Sequence, residues 1–479
     1  MMHRSRRARS LAAVVVTVAA TLATMSATAV ATGTEVDFPA YMHDAGHSAY
    51  SPDATAITPT TKLKLAWTLT TPKEDGLPPA GFFATPIVLD HVVYVGSNSG
   101  DFYAVDEATG TVLWKVFLGY EPKATCGYAR GFNATAASGI DPTTGELAIY
   151  AASGDGYVYA LNAADGTTLW KTPVNVPTPG VNDFYAWSSP EIANGKIYVG
   201  VSSFCDEPFV RGGIVALDQT TGVRVARYFS AKNGELGASV WASPAVAPDG
   251  SVVIGTGNAD GGATIPNSLS IERLDGNTLK RLDHWQLKTH GDFDFGAAPT
   301  IFEATLGGVS TPMVGDCNKN GWYYAFRLDD LKAGPVWKYH VARTGLAEAS
   351  GVCLAGAIWD GSALYVVGTK TTIGETDYRG SIRKLDPATG TPIWETGLPS
   401  GVMTSPTADG AGAIAMQSFE TYEGVPNSAF LVDAQTGSFV VLKNGNKRSA
   451  SSPVFADDYL ILATGRGKIM AYEAQPPAS

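Results

Sequence analysis

The sequence predicts an all-β protein: an eight-bladed β-propeller of four-stranded blades, its ring closed by an N-terminal strand. Three observations carry this. The composition suits short strands and many turns, with 53 Gly, 28 Pro and only 16% charged residues among 479. A unit recurs along the chain: a small residue and Pro opening a strand, a second apolar strand ending near Gly, a third strand, an Asp-x-x-x-Gly turn, and a fourth strand often containing Trp. Lastly, the final unit lacks its fourth strand, while a strand of that type stands alone near the N-terminus.

Taken in order, residues 1–31 read as an export signal: basic MMHRSRRARS, apolar LAAVVVTVAATLATMS, then small residues in ATAVA. Ala and Thr make this segment too weakly apolar for a span, so no stable membrane insertion is expected. Its removal takes away four arginines and no acids, moving the net charge from −11 to −15. Such an acidic surface argues against nucleic acid as a partner. Residues 32–61 form an N-terminal extension. The propeller is expected over 62–474, followed by a tail at 475–479.

The clearest unit is 84-ATPIVLDHVVYVGSNSGDFYAVDEATGTVLWKV-116. The second ends 154-GDGYVYALNAADGTTLWKT-172, and the third to seventh open near 188, 242, 297, 363 and 404. The eighth, 451-SSPVFADDYLILATGRGKIMAYEA-474, stops one strand short; 62-KLKLAWTLTT-71 matches the missing strand. Pairing the two removes both open edges. In each turn Asp bonds its own backbone two residues on, and Gly supplies the positive φ.

Regularity breaks in the third unit. Between 196-KIYVGV-201 and GGIVALD a hairpin needs only two to five residues, yet SSFCDEPFVR stands there with adjacent carboxylates Asp206 and Glu207. Four cysteines, 126, 205, 317 and 353, suggest two disulfides in an exported protein, with three possible pairings. No CxxC or CxxCH occurs, which excludes thiolate zinc of the usual kind and covalent haem.

The repeats, above all YALNAADGTTLWKT, resemble those of the quinoprotein propellers, which include alcohol dehydrogenases using pyrroloquinoline quinone (PQQ). The resemblance spans nearly all of 38–474. It implies site residues one by one. Glu207, in Glu-x-x-x-Arg-Gly, stands where the family has a Ca²⁺-binding glutamate, as a hard cation needs. Asn258 in 255-GTGN-258 matches the family's TGN, whose Asn carbonyl binds the same ion. Trp241 matches the Trp lying flat under the quinone. Asp294, in 290-HGDFDFGAAP-299, matches the general base, which also reaches the metal; Gly296 stands where lanthanide-using relatives carry a second Asp, so a Ca²⁺ site is implied. Lys319 stands where a cation steadies the reduced quinone oxygen, and Arg130 in 125-TCGYARG-131 resembles a second arginine of this kind. Each has an ordinary alternative as a solvated acid, a common turn or a core Trp. Their joint occurrence, in family order and consecutive blades, points to the site.

The pattern also departs from the family. Only Cys126 remains of an adjacent cysteine pair over PQQ, and a glutamate of the first blade appears as Phe83. On this fold the expected disulfides are 126–205 and 317–353. The stretch 41-YMHDAGHSAYSP-52 and the single-cysteine TCGYARG are most similar to the polyvinyl-alcohol-dehydrogenase-like branch. The resemblance therefore implies an exported dehydrogenase dependent on PQQ and Ca²⁺, acting on a secondary or polymeric alcohol and passing electrons to a separate acceptor. The alternative is a non-catalytic scaffold similar to the outer-membrane assembly propellers. A hydrolytic propeller would need a better-separated acid pair than Asp292 and Asp294.

Overall fold

A computed structural model describes residues 36–72, 80–121, 131–175, 184–262, 264–343, 352–419, 428–442 and 450–475. The expected signal at 1–31 lies outside them. The described strands form eight four-stranded antiparallel sheets, the blades of a β-propeller. Seven blades are consecutive hairpins. The eighth has the strand order Leu63–Thr70, Lys468–Ala474, Tyr459–Thr464, Val454–Ala456, so the N-terminal strand completes the last blade as expected. Its register runs from Leu63 opposite Ala474 to Thr70 opposite Lys468.

Each part of the repeat has a packing reason. The second and third strands of a blade are sandwiched between neighbouring blades and read as apolar runs: VVYVG in Val92–Gly96 and IVALD within Gly213–Asp218 are almost wholly buried. The fourth strands face solvent and alternate, with Trp turned inward. That indole docks on the next blade's turn. Trp67, Trp114, Trp170, Trp337 and Trp394 donate through Nε1 to the carbonyls of Glu107, Ala163, Gln219, Pro387 and Ala434 at 2.6 to 3.3 Å. A Cβ on Gly110, Gly166, Gly222, Gly390 or Gly437 would lie 2.4 to 2.8 Å from the docked side chain. The turn glycine thus supplies its positive φ and also leaves room for the neighbour's indole.

The small residue that opens each blade also links blades. The Thr85 amide donates to Thr135 Oγ1, Thr135 to Ser189 Oγ and Ser189 to Ser243 Oγ, each at 3.0 Å. Gly356 donates to Ser405 Oγ at 3.0 Å, and Ser452 donates to Thr85 Oγ1 at 2.9 Å, across the closing seam. Blades 5 and 6 carry Ala298 and Gly356 at this position and have no hydroxyl to offer. There the hydroxyl comes two residues later, Thr300 Oγ1 accepting from the Ala357 amide at 3.2 Å, and the disulfide Cys317–Cys353, with Cα atoms 5.1 Å apart, joins the same two blades. The other expected pairing falls on Cys126, outside the described residues.

The extension before the first strand crosses the opposite end of the ring and contacts every blade. The Val36 amide donates to Asp457 Oδ1 in blade 8 at 2.8 Å. Phe38 pairs with Val88 in blade 1, and the Ser138 amide of blade 2 donates to the Pro39 carbonyl. The amides of Val246, Ile301 and Trp359, in blades 4, 5 and 6, donate to the carbonyls of Ala45, Gly46 and Ser48. Tyr50 bridges to Ala408 in blade 7. Buried His47 donates through Nδ1 to the Pro299 carbonyl at 3.0 Å and faces Glu191 of blade 3 through Nε2 at 3.5 Å.

Candidate functional site

The blade hairpins dictate where chemistry can sit. In blades 1 and 2 the middle strands are joined by tight turns at 97–100 and 153–156. In blades 3 and 4 the same connection lengthens to 202–212 and 256–269. These loops, with 287–299 leading into blade 5, close around a cavity of about 170 Å³ whose walls include Trp187, Cys205, Asp206, Trp241, Asp294 and Lys319. Larger clefts of about 450 Å³ lie at the turns on the opposite face. One is walled by Asp249 and Arg273, which are already spent on each other in an ion pair. The smaller cavity is the candidate site because its polar groups converge.

Asp294 is the hub. Phe295 is fully buried and packs against Trp285 and Tyr324, which seats the loop in the blade 4–5 core. The Lys319 amide donates to the Asp294 carbonyl at 3.0 Å, and Asn318 Nδ2 donates to the Phe293 carbonyl at 2.7 Å. The carboxylate so placed accepts from the Asn258 amide at 2.7 Å through Oδ1. Through Oδ2 it accepts from Trp241 Nε1 at 3.1 Å and Lys319 Nζ at 2.8 Å. Gly257 belongs to this contact: a Cβ there would lie 3.3 Å from Asp294 Oδ1. Burial pushes Asp294 above the usual carboxylate range, and Lys319 only partly offsets it.

Lys319 is held between Asp292 and Asp294 and stands 5.4 Å from the Trp241 ring centre. Burial disfavours its charge, but the two carboxylates outweigh burial and raise its pKa. The Trp241 ring lies against the backbone of Gly296, where a Cβ would come 2.0 Å from Cζ2. No side chain fits at 296 while the indole is in this place.

The terminal amide of Asn258 has one atom 3.2 Å from Asp294 Oδ1 and 3.3 Å from Asp206 Oδ2. With nitrogen there, it donates to both carboxylates. Turned by half a rotation, its oxygen joins theirs, and three oxygens from three loops converge, as a hard cation requires. Burial and the nearby Asp294 push Asp206 up to about 6, against the opposing effect of Lys319.

Of the residues singled out by sequence, Trp241, Asn258, Asp294 and Lys319 therefore come together. Glu207 does not join them: its side chain is exposed, and its neighbour Asp206 lines the cavity. Cys205 and Asp206 both take positive φ, 54° and 57°, and the backbone turns between the two acids. Phe83 is not among the cavity walls, and Arg130 lies outside the described residues. Trp187 was missed. It stacks on Phe204 with ring centres 5.6 Å apart and planes at 11°, and its Nε1 donates to the Ser203 carbonyl. The signal was present, since 187-WSSP occupies the same place in its blade as 241-WASP. The hydroxyls of Ser203 and Ser239 on the cavity wall are buried and make no hydrogen bond within the protein.

Comparison with known proteins agrees with this fold. The family model for the glucose/ethanol/alcohol dehydrogenase β-propeller domain (PQQ) matches residues 38–343, and that for outer membrane protein assembly factor BamB matches 327–476. The chain is 26% identical over 299 residues to quinohemoprotein alcohol dehydrogenase ADH IIB of Pseudomonas putida, covering 55% of this chain and 41% of the relative. It is 26% identical over 383 residues to the polyvinylalcohol dehydrogenase of Sphingopyxis sp. (strain 113P3), covering 70% and 54%. The chain thus spans about half the length of these relatives or less. Among solved structures, a europium-containing methanol dehydrogenase superposes with a TM-score of 0.72 at 17% identity, covering 92% of this chain and 98% of that one, a likeness of fold. With a family model matched over more than half its length, the chain belongs to the PQQ-dependent alcohol dehydrogenase-like β-propeller family.

Proposed function

We propose that the cavity binds PQQ together with Ca²⁺ and that the protein oxidises an alcohol, secondary or polymeric, to the carbonyl. The observation that carries this is the meeting of Asp206, Asn258 and Asp294 at one point, beside Lys319 and the indole of Trp241. The fit extends to the orphaned hydroxyls of Ser203 and Ser239, which can donate to a polar planar ligand. Asp206, the Asn258 carbonyl and Asp294 would hold the cation, with Asp206 in the place expected of Glu207. Gly296, closed to any side chain by Trp241, leaves no room for a second carboxylate and favours Ca²⁺ over a lanthanide. Trp241 would stack on the quinone.

When bound, the quinone supplies the hydride acceptor. The chain supplies the rest. Asp294 takes the hydroxyl proton of the alcohol, and its raised pKa suits a base. Lys319, kept protonated by Asp292 and Asp294, sets a positive charge at the wall where negative charge develops. Arg130 is assigned the same role from sequence alone. The polymeric substrate follows from the likeness to polyvinylalcohol dehydrogenase. Export beyond the cytoplasm and a separate electron acceptor complete the reading.

The test is a PQQ titration of the metal-stripped full chain, with and without Ca²⁺, read by quenching of tryptophan fluorescence. One-to-one binding that needs Ca²⁺ is expected, weakened roughly tenfold or more by Asp206→Asn and little changed by Glu207→Gln. Failure to bind at any Ca²⁺ concentration would overturn the proposal. It would favour the scaffold reading, whose support is the BamB match over 327–476.

A further inference from the structure

Far from the cavity, on the face crossed by the N-terminal extension, three turns of the closing seam bring unlike residues together. His91 Nδ1 lies 2.6 Å from Asp457 Oδ2 and 3.4 Å from Glu107 Oε2. The three donor atoms all fall within 4.8 Å of one another. We propose that His91, Glu107 and Asp457 form a binding site for a divalent first-row transition metal such as Zn²⁺, stapling blade 8 to blade 1.

The repeat itself exposes the site, because it requires none of these residue types. The position of Glu107, directly after the turn Asp, holds Ala163, Gln219, Gly276, Pro387 and Ala434 in other blades. Only its carbonyl is needed, to receive the docked indole. The Glu107 amide donates to the His91 carbonyl at 3.0 Å; in blades 3 and 7 the equivalent bond goes to Gly195 and Gly412. His91 thus stands at a glycine position and carries the positive φ, 60°, that glycine takes without strain. Asp457 adds a carboxylate from the other side of the seam.

Glu107 gives the second, independent indication. It is 2% exposed, and its Oε1 is buried without a hydrogen-bond partner. Two carboxylates and one imidazole meet there. One nitrogen and two oxygens suit a borderline metal better than Ca²⁺. Donors bound tetrahedrally at about 2.0 Å lie about 3.3 Å apart; the His91–Glu107 pair is already so spaced at 3.4 Å, and the His91–Asp457 pair at 2.6 Å must open slightly. His91 is 67% exposed, which leaves the ion reachable from solvent.

Zn²⁺ titrated calorimetrically into the chelator-treated full chain tests this, with thermal melting and Co²⁺ absorption beside it. A single site is expected, absent from His91→Ala and weakened at least tenfold in Asp457→Asn. Zn²⁺ in hundredfold excess over Kd should raise the melting temperature by about 3 °C in the natural protein and not in His91→Ala. Co²⁺ should give visible ligand-field bands that His91→Ala removes. His91→Gln serves if His91→Ala does not fold. Binding that survives loss of His91 would overturn the proposal. So would no binding at all, leaving an ion pair only.

Discussion

Blades 2 and 3 share one plan and differ in one connection. Blade 2 joins its middle strands through the tight turn at 153–156; blade 3 spends 202–212 on the same link. Both receive the preceding blade's Trp on their turn, both have the turn glycine that admits it, and in both the opening hydroxyl accepts from the preceding blade's amide. The shared parts hold the ring. The part that differs brings Asp206 to the cavity. The long loops of blades 3 and 4 carry Asp206 and Asn258 to the cavity, and the repeated docking and linking positions carry stability.

Substitutions can break or sharpen that division. The largest effect is expected at the hub. Asp294→Asn should lower kcat for alcohol oxidation by roughly 10²- to 10⁴-fold while the melting temperature stays near that of the natural protein; steady-state kinetics and calorimetry check it. A collapse in stability instead would make Asp294 part of the scaffold. Next comes the disulfide, between the two blades whose opening residues, Ala298 and Gly356, carry no hydroxyl. Cys317→Ala with Cys353→Ala opens a loop of 36 residues and should cost about 3–4 kcal/mol in denaturant unfolding, with PQQ affinity unchanged.

Glu272 sharpens the contrast between buried carboxylates. Asp294 has Lys319 beside it. Glu272 is fully buried with Tyr228 as donor and Arg281 at 4.0 Å, and burial pushes it up to about 7 from 4.5. Below pH 4.5 both folded and unfolded states hold the proton. Between 4.5 and 7 the unfolded state loses it first, so this group costs stability as pH rises, and above 7 the cost is complete. Glu272→Gln should therefore stabilise the protein by up to roughly 3 kcal/mol above pH 7, with the gain vanishing below 4.5; melting curves across pH report it. The smallest effect belongs to one link of the ring: Thr135→Val should cost about 1 kcal/mol, measured by urea unfolding.

The ring was legible in the sequence because it is periodic. Closure followed from 62-KLKLAWTLTT-71 alone, and Cys317 and Cys353 met because adjacent blades must. The candidate site was legible where a side chain is fixed by its own strand or a short turn: Trp241 before Ser-Pro, Asn258 after GTG, Lys319 between Asn318 and Asn320. It was misjudged by one residue in the blade 3 loop. The motif there is counted from Arg211, but two positive-φ residues, Cys205 and Asp206, turn the carboxylate nearer the strand into the cavity. No periodicity specifies such a turn. The N-terminal extension was opaque for another reason. Most of its contacts are made by backbone groups, and side-chain patterning carries no record of them.

That extension also sets a clock. Val36 bonds Asp457, and Leu63 pairs with Ala474, so an earlier segment of the chain finds its partners only in a much later one. Blades 1 to 7 can form their hairpins as they emerge, since every pairing within them is local in the chain. The strand Lys468–Ala474 keeps a bare edge until the N-terminal strand arrives. Sealing the circle joins the segments farthest apart in the chain, and until it occurs the protein presents two complementary edges open to a second copy as well as to each other.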